Sequence, residues 1–173
     1  HAPLDVFLVR KLEVPGREEL TMGAIASGGV PVLNDDTRDA LGIPNEIVDR
    51  VVAKQRRELV RREALYRSDR PWPDLRGKTI ILVDDGLATG STMKVAAEAL
   101  RLQCPARIVV AVPVAARSTC EEFEGYFDEI ICAETPSPFY AVDEWYEDYS
   151  PTSDREVKTL LDEATRSRAV GSA

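Results

Sequence analysis

Apolar positions in this chain fall into two rhythms. Short unbroken runs rich in β-branched residues occur at Leu4–Val9, Thr79–Val83 and Arg107–Val112. The first predicts a buried strand ending in Arg10-Lys11, the last two predict strands buried on both faces, and Glu129–Ala133 predicts a further strand. Between them apolar residues recur at helical spacing. Ile47, Val48, Val51, Val52, Leu59 and Leu65 form one stripe, with Pro44 in the first turn. Met93, Val95, Ala96, Ala99 and Leu100 form a second, and Ser118–Phe123 predicts a short helix. Val157, Leu160 and Leu161 predict the inner side of a final helix capped by Thr152 or Ser153, with a frayed tail after Arg166. Two short apolar runs, Leu20–Ala26 and Val30–Leu33, flank Ser27-Gly28-Gly29 and predict a hairpin. Asn34-Asp35-Asp36-Thr37 predicts a cap on a short helix, and Arg70-Pro71-Trp72-Pro73 a break, with Trp72 packed at a domain edge. From Thr79 onward the order strand–helix–strand–helix–strand predicts a parallel sheet with right-handed crossovers.

A length of 173 residues suits one domain with a real core. The net charge of −8 argues against a nucleic-acid partner, whose affinity comes from Lys and Arg neutralising phosphates. No apolar run reaches the roughly 18 residues of a membrane span. Cys104, Cys120 and Cys132 lack the spacing of a metal or redox pair, so they are expected to be small buried hydrophobes in a reducing cytosol. The chain begins at His1 rather than Met, so further polypeptide is expected upstream. Against the acidic total, one helix face gathers Lys54, Arg56, Arg57, Arg61, Arg62 and Arg67, with only Glu58 and Glu63 between. It reads equally as an attractor for pyrophosphate, across a homodimer interface, or as a solvated face with i,i+4 pairs.

The stretch around which the rest is arranged is Thr79 to Met93. A strand ends in Asp84-Asp85, a short loop Gly86-Leu87-Ala88-Thr89-Gly90 follows, and Ser91-Thr92 open a helix. Free backbone N–H groups and a helix dipole favour an anion at such a loop, and hydroxyls of Thr89, Ser91 and Thr92 add donors. Two ionised carboxylates accept only, which suits a pair of neighbouring hydroxyls such as a ribose diol. There is no Lys before Ser91, as a Walker loop needs, and no G-x-G-x-x-G of a dinucleotide fold. A sugar phosphate is the ligand these residues fit.

The stretch resembles the 5-phosphoribosyl-1-pyrophosphate (PRPP) signature of the type I phosphoribosyltransferases. The resemblance runs from about Leu4 to Asp148. It implies that fold: a parallel α/β sheet flanked by helices, with a flexible hairpin loop and a C-terminal hood. It implies that Asp84 and Asp85 bind the ribose hydroxyls and act at the catalytic centre. Gly86, Leu87, Ala88, Thr89, Gly90, Ser91 and Thr92 would then hold the 5′-phosphate. Arg10-Lys11, followed by a Pro-containing loop, resembles the Arg-Lys step near pyrophosphate in the adenine type. The hairpin 20–33 would be the loop that closes over the reaction. Phe139 to Tyr149 loosely resembles the base segment of the hypoxanthine type, which assigns Phe139, Val142 and Trp145 to the base and Asp148 to Mg²⁺. On the residues alone, these aromatics could equally pack the C-terminal helix.

Two departures sharpen the reading. Ala88 stands where hypoxanthine-type enzymes carry an Asp, so the loop is closer to the adenine and uracil types, leaving Glu13, Glu18 and Glu19 as candidate proton carriers. The family's first strand, pyrophosphate loop and helix have no counterpart before Leu4. The expectation is a single cytoplasmic domain, with residues 167–173 as a tail. It would be an Mg²⁺-dependent enzyme moving phosphoribose from PRPP to a nucleobase-like acceptor, purine or pyrimidine. The alternative is a regulatory module that binds PRPP without turnover.

Overall fold

Bends at Pro15-Gly16 and Ser27-Gly28-Gly29 fold the start of the chain into an antiparallel meander. In the computed structural model, which describes residues 2–67 and 70–170, β1 (Val9–Val14) pairs with β2 (Arg17–Ala26), and β2 with β3 (Pro31–Leu33). Gly23 sits where β3 comes closest: a Cβ there would lie 2.2 Å from the Val32 carbonyl oxygen. The hairpin expected around Gly28-Gly29 is this β2–β3 pair. Asn34 caps α1 (Asp35–Ala40) by accepting from the Thr37 N–H at 3.0 Å.

The first strand is not where the apolar run suggested. It starts at Val9 rather than Leu4, because the backbone before it is bonded elsewhere. The buried Arg67 guanidinium donates to the Asp5 carboxylate at 2.9 Å and to the Val6 carbonyl at 2.6 Å. Leu8 exchanges bonds with Ser27 at 2.9 and 2.8 Å. These partners replace a sheet ladder. Arg10 and Lys11 therefore lie inside β1 rather than at its end, and strand alternation sends their side chains to opposite faces.

α2 (Asn45–Arg67) lies on this sheet. Leu12, Val14, Met22 and Ile25 from the strands meet Val48, Val51 and Leu59 from the helix. Leu65 is exposed, and the buried positions at the helix end are Tyr66 and Arg67. The Tyr66 hydroxyl donates to Asp154 at the start of α5 (Asp154–Val170), which Ser153 caps. Arg70 bonds the Thr165 hydroxyl at 2.6 Å. Leu161 is buried on α5, but Leu160, expected beside it, is 52% exposed. α5 runs through Val170, beyond the expected end at Arg166; residues 171–173 of the expected tail lie outside the described residues. Trp72 packs on Phe7, ring centroids 6.0 Å apart, with the Arg67 guanidinium 4.2 Å from its ring.

The chain divides into two compact units, residues 1–72 with 151–173, and residues 73–150. In the second, β4 (Thr79–Val83), β5 (Arg107–Val114) and β6 (Glu129–Glu134) form a parallel sheet with β5 central. α3 (Ser91–Arg101) and α4 (Arg117–Glu122) make the crossovers. Leu82, Ile108, Val110 and Val112 are buried, as are Met93, Ala96 and Leu100 of α3 and Phe123 after α4. The expectation that β4 is buried on both faces is overturned: Ile81 is 59% and Val83 72% exposed. β4 is an edge strand, and its alternate residues Leu82 and Ile80 are the ones turned inward. The cysteines are not buried either; Cys104 is exposed, and Cys120 and Cys132 are partly so. Among the described residues no helix is long and apolar enough to cross a membrane.

Candidate functional site

The parallel ladder continues past β4 as a single bridge between Leu87 and Ala115. That bridge fixes where the loop starts. Leu87 donates its N–H to the Val114 carbonyl at 3.0 Å and accepts from Ala116 at 3.0 Å. Beyond it, the backbone N–H groups from Ala88 through Met93 have no acceptor among the described residues. Gly90 ends the loop in the left-handed region (φ 63°, ψ 7°) and offers α3 no side-chain cap. An open run of donors at the start of an eleven-residue helix is an anion cradle. Thr89 and Ser91 hydroxyls lie 3.3 Å apart at its rim.

α4 holds this loop from behind. The Thr119 hydroxyl donates to the Ala88 carbonyl, and Phe123 fills the space beside Gly90. Neither residue stood out in the sequence, where Thr119 is one polar residue of a short helix and Phe123 one apolar residue at its end.

Asp84 and Asp85 are both exposed, yet they differ. Desolvation of the Asp84 carboxyl pushes its pKa up, opposed by the Asp85 N–H that it accepts at 3.1 Å and reinforced by the Asp85 charge. Asp85 instead accepts from the Tyr149 hydroxyl at 2.5 Å through Oδ2, and its carbonyl accepts from Tyr146 at 2.6 Å. The bond to Asp85 is the main reason the Tyr149 phenol is pushed up to about 12. Tyr146 is also raised, by desolvation first and then by the charges of Asp85 and Asp84. The two phenol rings lean together at 5.3 Å.

The segment carrying these tyrosines is seated by Gly86. A Cβ there would meet Val142 Cγ1 at 2.7 Å and the Val114 carbonyl at 2.9 Å. Val142 thus packs on the acidic motif, and its carbonyl accepts from Trp145 at 3.1 Å, opening a 3₁₀ turn over Asp143–Trp145. Phe139 and Trp145 lie nearly parallel, 8° between planes and 6.5 Å between centroids. Asp148 accepts from the Ser150 N–H at 2.9 Å and hydroxyl at 2.5 Å, chiefly the latter holding its carboxyl below the usual range. Among the described residues no group of three or more His, Cys, Asp or Glu gathers as a metal cluster.

The second unit thus brings together Asp84, Asp85, Gly86 to Thr92 and Val142, with Phe139, Trp145 and Asp148 on the same segment as Val142. Arg10 and Lys11 belong to the first unit. Arg10 is half-buried and donates from Nε to Gln55 at 3.0 Å, while Lys11 is exposed. Tyr146 and Tyr149 had been visible only as members of an aromatic cluster.

The sequence model of the phosphoribosyl transferase domain matches residues 9–150. Two proteins of Mycobacterium tuberculosis, from strains CDC 1551 / Oshkosh and ATCC 25618 / H37Rv, carry provisional names as phosphoribosyl transferases. Each is 42% identical over 172 residues, 99% of this chain and 39% of the relative. The chain therefore spans about two fifths of their length. The crystal structure of TT1426 from Thermus thermophilus superposes with a TM-score of 0.78 at 36% identity, over 93% of this chain and 76% of that one. With a parallel sheet flanked by helices and a domain match running from β1 through the tyrosine segment, the chain belongs to the phosphoribosyl transferase domain family.

Proposed function

We propose that this domain transfers the 5-phosphoribosyl group of PRPP to a nitrogen of a planar base, releasing pyrophosphate. The observation that carries the reading is the row of unpartnered N–H groups from Ala88 to Met93 directly after two exposed carboxylates. The row suits a terminal phosphate; the carboxylates suit the hydroxyls of the sugar attached to it.

In the reaction the base nitrogen bonds to C1 of the ribose as the C1–O bond to pyrophosphate breaks, and the proton of that nitrogen passes to solvent. Positive charge builds on the ring between the two events. Carboxylates of Asp84 and Asp85 beside the ring lower the energy of that charge, and the cradle fixes the far end of the sugar. Phe139 and Trp145 offer parallel aromatic faces for a planar base. Magnesium would supply charge neutralisation on the pyrophosphate. Asp148, the residue expected to hold it, keeps an exposed carboxylate that its bonds from Ser150 favour in the ionised form, a donor that suits a hydrated ion carried in on the substrate.

A second reading is a module that binds PRPP without turnover. It is favoured by Ala88, which leaves the loop without an acid to handle a base proton. Incubation with PRPP, Mg²⁺ and a panel of purines and pyrimidines, following pyrophosphate release, separates the two. Release with at least one base supports transfer. PRPP binding by calorimetry with no release for any base supports the module, and no PRPP binding at all removes both.

A further inference from the structure

Cys120 and Cys132 stand twelve residues apart in the sequence, without the spacing of a redox pair, yet the fold of the second unit brings them together. Cys120 lies on α4 and Cys132 on β6. Ile130 and Cys132, two apart on the strand, turn to one side of the sheet. Arg117, Cys120 and Glu121 of α4 meet them there, and these residues line a hollow of about 330 Å³.

The two thiols are within hydrogen-bonding reach, that of Cys132 donating to the Cys120 sulfur. Burial first, then that bond, then the Cys120 charge push the Cys132 thiol up to about 12. Neither side chain is sealed off: both are partly exposed and both line the hollow. The transfer reaction uses neither. Their helix nevertheless supports the loop, since Thr119, beside Cys120, donates to the Ala88 carbonyl and Phe123 fills the space at Gly90.

We infer that Cys120 and Cys132 form a reversible disulfide that ties α4 to β6, with a low-molecular-weight disulfide as the oxidant. The Cys120 thiol gives its proton to solvent, and its sulfur attacks one sulfur of the reagent. The reagent's S–S bond breaks and releases one thiolate, which takes up a proton. With Cys120 capped, the bond and the charge that helped hold the Cys132 proton are gone. Cys132 then loses its proton to solvent and attacks the Cys120 sulfur, closing the new S–S bond and expelling the second thiolate, which is protonated in turn. Two protein thiols are oxidised, and one small disulfide is reduced to two thiols. Excess thiol runs the sequence backwards. The exposed Cys104 lies outside the hollow and stops at the mixed disulfide. The site goes beyond the PRPP reading and does not depend on it.

Oxidised glutathione is the probe, mixed with reduced glutathione at a series of ratios and incubated with the whole chain. Acid quenching, alkylation and mass mapping without reductant read each cysteine after cleavage at glutamates, which lie between the two positions. The expected product is a pair of peptides joined through Cys120 and Cys132, lighter by two hydrogens, with glutathione on Cys104 alone, and dithiothreitol should reverse both. In Cys132→Ser, Cys120 should instead keep its glutathione. Closing a ring across residues 120–132 restricts the unfolded chain, so the oxidised parent should also need more urea to unfold. The inference is overturned if Cys120 and Cys132 stay alkylatable or both carry glutathione at the most oxidising ratio. It is equally overturned if Cys104 is joined to either, if Cys120 stays free in the variant, or if the oxidised parent unfolds at lower urea than the reduced one.

Discussion

Gly90→Ala tests how tightly the loop is held. The residue sits at φ 63°, where a Cβ strains the backbone by about 1–2 kcal/mol. The new methyl carbon would also stand 2.1 Å from Phe123 Cε2 and 2.5 Å from Cζ. Phe123 cannot swing aside: it is 1% exposed and packed edge-on against Phe127 at 5.3 Å and tilted against Tyr126 at 5.9 Å. Overpacking of this kind adds about 1–3 kcal/mol. The sum, about 2–5 kcal/mol, is a large part of a typical domain's stability of about 5–15 kcal/mol. Urea unfolding by circular dichroism measures the loss, and calorimetry with PRPP measures the damage to the cradle. The two contributions separate in a cycle with Phe123→Leu. If the ring is the obstacle, the double variant is more stable than the two single losses predict, by about 1 kcal/mol or more. A Gly90→Ala chain within about 0.5 kcal/mol of the parent, or strict additivity in the cycle, would refute the geometry.

Arg67→Met should lower stability by about 3–5 kcal/mol in the same urea assay, because it strands the half-buried Asp5 carboxylate and the Val6 carbonyl and removes the cation 3.2 Å from Glu63, whose Oε1 has no hydrogen bond; a change under about 1 kcal/mol would count against it. Asp85→Asn/Tyr149→Phe should bind PRPP more weakly by calorimetry than Tyr149→Phe alone, and equal affinities would remove the role of Asp85 with the ribose. Tyr149→Phe should delete one phenol from the alkaline absorbance titration, the difference from the parent centring near 12 rather than at the ordinary 10.0. Since the folded-state pKa is the higher one, the bond stabilises the fold fully below pH 10.0 and is lost as pH rises through about 12. For Asp84 the raised pKa has the same sign: the folded chain favours the neutral acid. Asp84→Asn should therefore raise the urea midpoint at pH 7, with an advantage that shrinks as pH falls through the carboxyl's pKa, and no such trend would refute the desolvation.

The parallel sheet was legible because its strands are continuous apolar runs, and the cradle because glycines, hydroxyls and paired acids sit at fixed offsets. What escaped depended on partners far along the chain. Leu4–Val9 has strand composition, but Arg67, about sixty positions later, takes its backbone and moves the strand start to Val9. Thr79–Val83 is uniformly apolar, and nothing in its composition tells a covered face from a bare one; Val83 is 72% exposed. The tyrosine segment could not be assigned a partner because aromatics suit a base, a helix or a carboxylate equally well. Gly86, which leaves room for Val142, and the bonds of Tyr146 and Tyr149 to Asp85 settle that it folds onto the acids.

That contact changes what the acidic pair means. Two neighbouring carboxylates suggest two equivalent acceptors waiting for a diol. Instead one is partly desolvated and the other already receives a hydroxyl, from Tyr149. A phenol O–H on Asp85 Oδ2 is chemically what a ribose hydroxyl would be in the same place. If the diol is received here, binding exchanges one hydroxyl for another on the same oxygen and adds none. Net affinity must then come from the second hydroxyl and from the phosphate in the cradle. On this reasoning a ribose without its 5′-phosphate should bind far more weakly than PRPP, and Tyr149→Phe should tighten PRPP binding instead of loosening it. A looser complex in that variant would mean that Tyr149 touches the ligand itself, and the exchange would be wrong.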